Sequence, residues 1–499
     1  MNTLESYFQP FREQIIGVDA DFTSPYGKQK IVYADWIASG RLYRPIEDRL
    51  INLFGPMVGN THSESSETGV TMTHAYCYAH KIIKKHVNAD ENDVIITSGS
   101  GMTGVVNKLQ RLLGLKVPEQ LHNFCELSAK KVNNCLNELG ENRPVVFLTH
   151  MEHHSNHTSW LETIADVVII EPDENLLVDP KELEKILPRY AKRKLKIGAF
   201  SAGSNVTGVR PPYHKLAAIM HKHGGLAFID FAASAPYDPI NMHPENPEER
   251  LDAVLFSPHK FLGGPGSSGV IVFNKDLCKN KTPDQPGGGT VLWTNRWNEF
   301  HYVEDIEARE DGGTPAFLQA IKAAYCIKLK EQMTCEKIHA REKELLAIAF
   351  DEFPKIPALH ILAENERDRL GVISFYVENM HHNLIVKLLN DRFGVQVRGG
   401  CSCAGTYGHF LLNVDIDTSH KITDQINGGD LSQKPGWVRV SIHPTMTNEE
   451  LHYVTDSVKT VVENAIDWAK DYEFSRETGE FYHKTAPVTA NNITEWFEL

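Results

Sequence analysis

Leu226-Ala227-Phe228-Ile229-Asp230, followed by Val254-Leu255-Phe256-Ser257-Pro258-His259-Lys260, is the stretch that decides the fold. In each piece a short run without polar residues gives way abruptly to polar or charged ones. Strands buried on both faces read as continuous apolar runs, as in a parallel sheet covered by helices. Five more runs of this kind occur: Val94-Ile95-Ile96-Thr97, Val145-Val146-Phe147-Leu148-Thr149, Val167-Val168-Ile169-Ile170, Ile197-Gly198-Ala199-Phe200 and Val270-Ile271-Val272-Phe273. Helical patterns lie between them. Asp179-Pro180 starts one with an N-cap and a first-turn proline, and its apolar positions are Leu183, Ile186, Leu187 and Tyr190. Tyr213, Leu216, Ala217 and Met220 form a second face, closed by Gly224. The alternation predicts an α/β domain with a mostly parallel sheet sandwiched by helices.

Outside this region the pattern changes. Residues 115–143 read as a polar helical insertion. From about residue 315 to 350 the spacing predicts one long helix, followed by strands at 372–376 and 395–397 with a helix between them. Thr447 and Glu450 form a capping box for a last helix whose apolar face is Leu451, Val454, Val458, Val461, Val462 and Ile466. This is a smaller α+β domain. Residues 405–434, rich in Gly and Asp, read as a long loop. The expected division is 1–60 as an N-terminal segment joining the small domain and the substrate loop, 61–310 as the large domain, 311–475 as the small domain and 476–499 as a tail.

The chain has 499 residues, and its 51 Lys and Arg against 65 Asp and Glu give a net charge of −14. That balance excludes nucleic acid or an anionic membrane as the main partner, because there is no excess of cations. Eight cysteines without a ladder of spacings point to a reducing compartment. The N-terminus lacks a basic stretch followed by an apolar one, and no apolar run reaches about 18 residues, so a soluble, cytoplasmic protein is expected.

In open α/β sheets ligands bind beyond the carboxyl ends of the strands. Five runs end in polar groups: Ser98 to Gly104, His150 to Asn156, Ser201 to Asn205, Asp230, and Ser257 to Lys260. Gly99, Gly101 and Gly104 match a dinucleotide fingerprint, but the strand-end acid that should follow is missing, so an NAD-dependent dehydrogenase has little support. Small residues at a helix N-terminus instead suit a phosphate. A lysine on a desolvated rim can form a Schiff base, whereas most lysines lie with the head in water. Asp230, at the tip of an apolar strand, needs a cation such as a protonated pyridine nitrogen; otherwise it caps a turn. His150, His153, His154 and His157 lack metalloprotease spacing, and no metal is expected.

Phosphate cup, strand-end Asp and strand-end Lys, in this order, resemble the fold type I pyridoxal-phosphate (PLP) enzymes. More narrowly they resemble the class V aminotransferase family, in the branch with cysteine desulfurases and selenocysteine lyases. The motifs that carry the resemblance are Tyr33-Ala34-Asp35 through Gly40, Glu152 through Asn156, Ser204 through Gly208, Asp230 through Pro236, Ser257-Pro258-His259-Lys260 and Gly312-Gly313-Thr314-Pro315. The resemblance implies that Lys260 holds PLP and moves the Cα proton. His153 would stack on the ring and Asp230 would face its nitrogen. Ser100, Gly101, Ser257 and His259 would hold the phosphate, with Thr290 reaching the phosphate of a neighbouring subunit in a homodimer with shared active sites. Asn205 would face the substrate carboxylate or the ring hydroxyl, Ala38 would line the substrate side, and Arg439 would clamp the α-carboxylate; the bland alternative for Arg439 is an exposed strand arginine.

Arg398-Gly399-Gly400-Cys401-Ser402-Cys403-Ala404 resembles the desulfurase segment that carries the nucleophilic thiol, with Cys403 in its register. Cys401-Ser402 stand where that form carries two histidines, and Ala233 stands where it carries glutamine. The pair also reads as two small hydrophobes, a redox pair or half of a metal site. The expectation is sulfur or selenium removal from a small amino acid through a Cys403 persulfide, with a sulfur-acceptor protein as a further partner. Transamination, C–S lysis, epimerisation and a non-catalytic relative of the fold are the rivals.

Overall fold

The computed structural model describes residues 3–120, 138–485 and 493–498. All seven apolar runs are strands of one sheet: β1 (Asp93–Ser98), β2 (Val145–Thr149), β3 (Asp166–Ile170), β4 (Lys196–Ser201), β5 (Leu226–Asp230), β6 (Ala253–Phe256) and β7 (Gly269–Asn274). Their order is β1-β7-β6-β5-β4-β2-β3. Only β7 runs antiparallel to its neighbours, β1 and β6. The uniform apolarity has a simple cause. Val145 and Phe147 pack into one core while Val146 and Leu148 pack into the core on the opposite face, and β6 and β7 divide in the same way. Neither face meets water, so no polar alternation survives.

A second, four-stranded antiparallel sheet orders Leu359–Ile361, Val372–Val377, Trp437–Ser441 and Arg398–Gly400. Helices His382–Phe393 and Asn448–Trp468 pack together beside it. Thr447 and Glu450 close the capping box, and Leu451, Val454, Val458 and Val461 are buried. Ile466, expected on that face, is 80% exposed, while Ala465 beside it is buried and carries the face on at the last turn.

Two other expectations differ from the structure. The helix over 315–350 is two helices, Phe317–Met333 and Cys335–Glu352, broken at Thr334 with φ 58°. The Thr334 N–H closes the first helix on the Lys330 carbonyl, and its hydroxyl caps the second. A threonine gives no Gly or Pro signal, so the apolar spacing reads straight through. The loop at 405–434 contains helices Gly405–Leu411 and Ile416–Asn427. The second is capped by Asp415 and buries no residue, so there was no apolar stripe to find. Of the insertion at 115–143, residues 121–137 lie outside the described residues.

The N-terminal segment joins the two sheets. Val32 and Tyr33 pair with Val395 and Gln396, and Asp35 bridges to Ser441. The Ile37 N–H donates to the Ser441 hydroxyl at 3.0 Å. Three residues later in the strap, the Gly40 N–H donates to the His259 carbonyl at 2.9 Å, beside Lys260. A Cβ on Gly40 would lie 1.9 Å from the Phe261 carbonyl oxygen, so only glycine fits there.

Candidate active site

A cavity of about 450 Å3 opens at the carboxyl ends of β1, β2, β4, β5 and β6. Ser100, Gly101, His153, Asn205, Asp230, Ser257, His259 and Lys260 reach it from the large sheet, Ala38 from the N-terminal strap, and Cys403 and Arg439 from the small sheet's side. Thr290 is the one candidate residue outside this cavity. It is buried, and its hydroxyl donates to the Gly287 carbonyl at 2.7 Å within its own turn.

The cup is built at the start of helix Met102–Leu112. The Met102 N–H donates to the Ser257 hydroxyl at 2.8 Å, tying the helix N-terminus to the end of β6. Gly101 sits between them. A Cβ there would lie 3.1 Å from Ser257 Oγ and 3.5 Å from the His259 ring, so a larger residue would crowd the cup. Free amides, a positive helix end and hydroxyls together suit a phosphate. Burial pushes the His259 imidazole down to about 4, so it faces this cup neutral.

Lys260 and Asp230 form the electrostatic centre. Burial lowers the Lys260 ammonium to about 8, opposed by the Asp230 carboxylate and assisted by Arg439 and Arg398. Burial raises Asp230 to about 6, opposed by the Ala232 N–H at 2.7 Å and by Lys260. Near neutral pH the carboxylate is therefore ionised while the amine is close to release of its proton. His153 is held down to about 3 by burial, then by Lys260, and its Nδ1 accepts the Ser155 N–H at 3.1 Å. It is a neutral ring fixed by its own helix cap.

Beneath His153 lies Glu152, which sequence reasoning quoted only as part of a motif. Its carboxylate accepts from Thr149 Oγ1 at 2.7 Å, Ser201 Oγ at 2.6 Å, Asn156 Nδ2 at 2.7 Å and the Ser201 N–H at 3.0 Å. One buried acid thus binds β2, β4 and helix His154–Leu161 together. The four histidines of that turn go separate ways. His150 Nε2 meets the Leu176 carbonyl, His154 Nε2 accepts the Gly405 N–H, and His157 Nδ1 meets the Thr406 hydroxyl.

Arg439 is 3% exposed, which overturns its reading as an exposed strand arginine. Its Nη1 donates to the Asn205 carbonyl at 3.0 Å and its Nη2 to Asp35 Oδ1 at 2.8 Å, while the buried Nε has no protein partner. Arg398 Nε donates to the other Asp35 oxygen at 3.1 Å. This Asp35 network links positions far apart in the chain and left no spacing to detect. Asn205 Nδ2 donates to the Ser402 carbonyl at 2.7 Å, and the His154 N–H donates to the Cys403 carbonyl at 2.8 Å. The Cys403 segment is therefore pinned to the ends of β4 and β2. Cys403 itself is exposed at the rim.

The pattern of an aminotransferase of class V matches residues 123–454 of the chain. The chain belongs to the class V aminotransferase family. Enzymes of this family depend on PLP. The cavity fits that group on its own terms: a glycine-floored cup with hydroxyls for a phosphate, a strand-end acid for a ring nitrogen and a lysine of lowered basicity for an aldehyde. Similar proteins include a probable cysteine desulfurase of Halalkalibacterium halodurans, 26% identical over 382 residues, covering 75% of this chain and 84% of that protein. Another, from Staphylococcus aureus, is 25% identical over 383 residues with the same coverage. Among solved structures, the cysteine desulfurase of Thermococcus onnurineus superposes with a TM-score of 0.70 at 20% identity, covering 91% of this chain and 98% of that one. The cysteine desulfurase CsdA of Escherichia coli gives 0.68 at 20% identity with the same coverage. The class V family fold, an α/β fold type I architecture, is common to all of them.

Proposed function

We propose that this class V enzyme is a PLP-dependent cysteine desulfurase or selenocysteine lyase, which removes sulfur or selenium from a small amino acid through Cys403. The observation that carries the reading is the thiol of Cys403 on the rim of the cavity that also contains Lys260, Asp230 and Arg439. The names of the relatives support the same chemistry.

PLP, when bound, withdraws electrons from the substrate Cα and acidifies its proton. The residues of the chain divide the remaining work. Lys260 Nζ would hold the cofactor and move the Cα proton. Its lowered basicity brings the amine close to release of its proton near neutral pH. Asp230 would face the ring nitrogen and favour its protonated form, and neutral His153 would stack on the ring. Ser100, Gly101, Ser257 and His259 would hold the phosphate. Arg439, which lines the cavity with Asn205 and Ala38, would clamp the substrate carboxylate. The Cys403 thiolate attacks the substrate sulfur, the carbon–sulfur bond breaks, and alanine leaves once its carbon takes a proton. The sulfur stays on Cys403 as a persulfide.

A homodimer with shared active sites completes the reading. Thr290 leads directly into the hairpin Val291–Thr294 and Phe300–Tyr302. Leu292, Trp293, Trp297 and Phe300 are each at least 50% exposed on it, an apolar patch that a second copy would cover. No helix among the described residues is long and apolar enough to cross a membrane. The test supplies L-cysteine to the PLP-loaded protein and measures alanine and sulfide. Wild type is expected to make both, and Cys403→Ala neither. Equal alanine from the two proteins overturns the persulfide route in favour of another class V reaction.

A further inference from the structure

A second cavity, of about 280 Å3, lies on the far side of the Cys403 segment. Arg398, Ser402 and Cys403 line both cavities, whereas Cys401 and Lys434 line only the outer one. The segment therefore separates the two spaces, with Cys403 lining both and Cys401, half-buried, lining only the outer one. Neither cysteine is in a disulfide.

The segment is a tight turn of an unusual kind. The Ala404 N–H donates to the Cys401 carbonyl at 3.0 Å, and the two residues between, Ser402 and Cys403, have φ of 51° and 56°. Turns with two successive positive φ values favour Gly, Asn and Asp, and a side chain there costs about 1–2 kcal/mol per residue. Three contacts hold it in that state: Ala404 to Cys401, Asn205 to Ser402 and His154 to Cys403. Strain held by surrounding contacts clusters at working sites. Here the turn sets two cysteines on either side of one serine, in the segment that both cavities share. Lys434 and the half-exposed Arg398 supply positive charge on the outer side, with Glu480 the acid in that lining.

We propose that Cys401 is a second sulfur carrier, which takes the sulfane sulfur from Cys403 and presents it in the outer cavity to an acceptor thiol. The inference rests on the desulfurase reading. The Cys401 thiolate attacks the outer sulfur of the Cys403 persulfide. A sulfur–sulfur bond forms at Cys401 as the one at Cys403 breaks, and Cys403 leaves as a thiolate. One such bond is made and one is lost, so no oxidant or reductant is needed. Cys403 then faces the substrate cavity unloaded, while the sulfur waits on the side that an acceptor reaches.

The experiment gives the PLP-loaded protein one equivalent of L-cysteine, alkylates it, and maps the tryptic peptide that begins at Gly399 and carries both thiols. In wild type the added sulfur is expected on Cys401, with alanine released. In Cys401→Ser it is expected on Cys403, and steady-state sulfide production with dithiothreitol as acceptor falls about tenfold. Cys401→Ala repeats the measurement without a hydroxyl. Added sulfur that stays on Cys403 in wild type, with alanine formed, overturns the relay and leaves the desulfurase reading intact. A Cys401–Cys403 disulfide with free sulfide also overturns the relay, because the attack was then on the inner sulfur. No alanine and no added sulfur in wild type overturns both readings.

Discussion

The Arg439 guanidinium donates to the Asp35 carboxylate at 2.8 Å, and this contact joins the small sheet to the N-terminal strap beside the substrate cavity. Removing one partner of a buried pair costs more than the pair contributes, because a charge is left without compensation. Asp35→Asn keeps the shape and removes the charge. We expect it to lower unfolding free energy by about 3 kcal/mol, read as a lower urea midpoint. Arg439 would also lose its anchor, so KM for the amino acid should rise about tenfold or more. An unchanged midpoint would show that Asp35 is not the counter-charge of Arg439.

The lowered basicity of Lys260 makes cofactor capture depend on pH. Only the neutral amine reacts with an aldehyde. With its ammonium near 8, the neutral fraction grows about tenfold per pH unit below that value and levels off above it. Borohydride trapping of PLP on the cofactor-free protein should follow that curve, and Lys260→Ala should trap none. Asp230 raises the Lys260 value, so Asp230→Ala should move the midpoint to lower pH. A midpoint that rises in this variant contradicts the pairing.

Glu152 should behave as a positioning residue. Its removal leaves several buried donors unsatisfied, each at a cost of about 1–3 kcal/mol, so Glu152→Ala should destabilise by more than about 3 kcal/mol. Burial raises the carboxyl from 4.5 to about 7. Its favourable contribution is complete below the unfolded value and is lost as pH rises through about 7. The stability advantage of wild type over Glu152→Gln should therefore shrink as pH rises across that window. A difference that grows with pH would reverse the sign argued here.

Trp293 and Trp297 should report on self-association. The double substitution Trp293→Glu and Trp297→Glu places charge in the exposed hairpin and should convert a dimer to monomer by light scattering. If Thr290 reaches the neighbouring phosphate, PLP affinity should fall about tenfold or more with it. A wild type that is already monomeric at micromolar concentration removes the shared-site reading.

Much of the large sheet was legible because each run is buried on two faces and each polar residue that matters follows its run directly. Asp230 and Lys260 belong to that class. Arg439 was legible only by resemblance, since its burial depends on Asp35, some four hundred residues away in the chain. The helix Ile416–Asn427 was illegible for the opposite reason: it buries no residue fully, and only Ser419, Ile422 and Ile426 are half-buried. Thr334 hid a helix break behind a residue that carries neither a Gly nor a Pro signal. The role of Glu152 needed three elements to be seen together.

The strap from Val32 to Gly40 is bonded through Asp35 and Ile37 to Ser441 of the small sheet, and its far end is wedged against the Phe261 carbonyl with no room for a single methyl. The sheet that carries Arg439 and the turn that carries Lys260 are thus fastened to one short span of backbone, and that span sets how far apart the two cations lie.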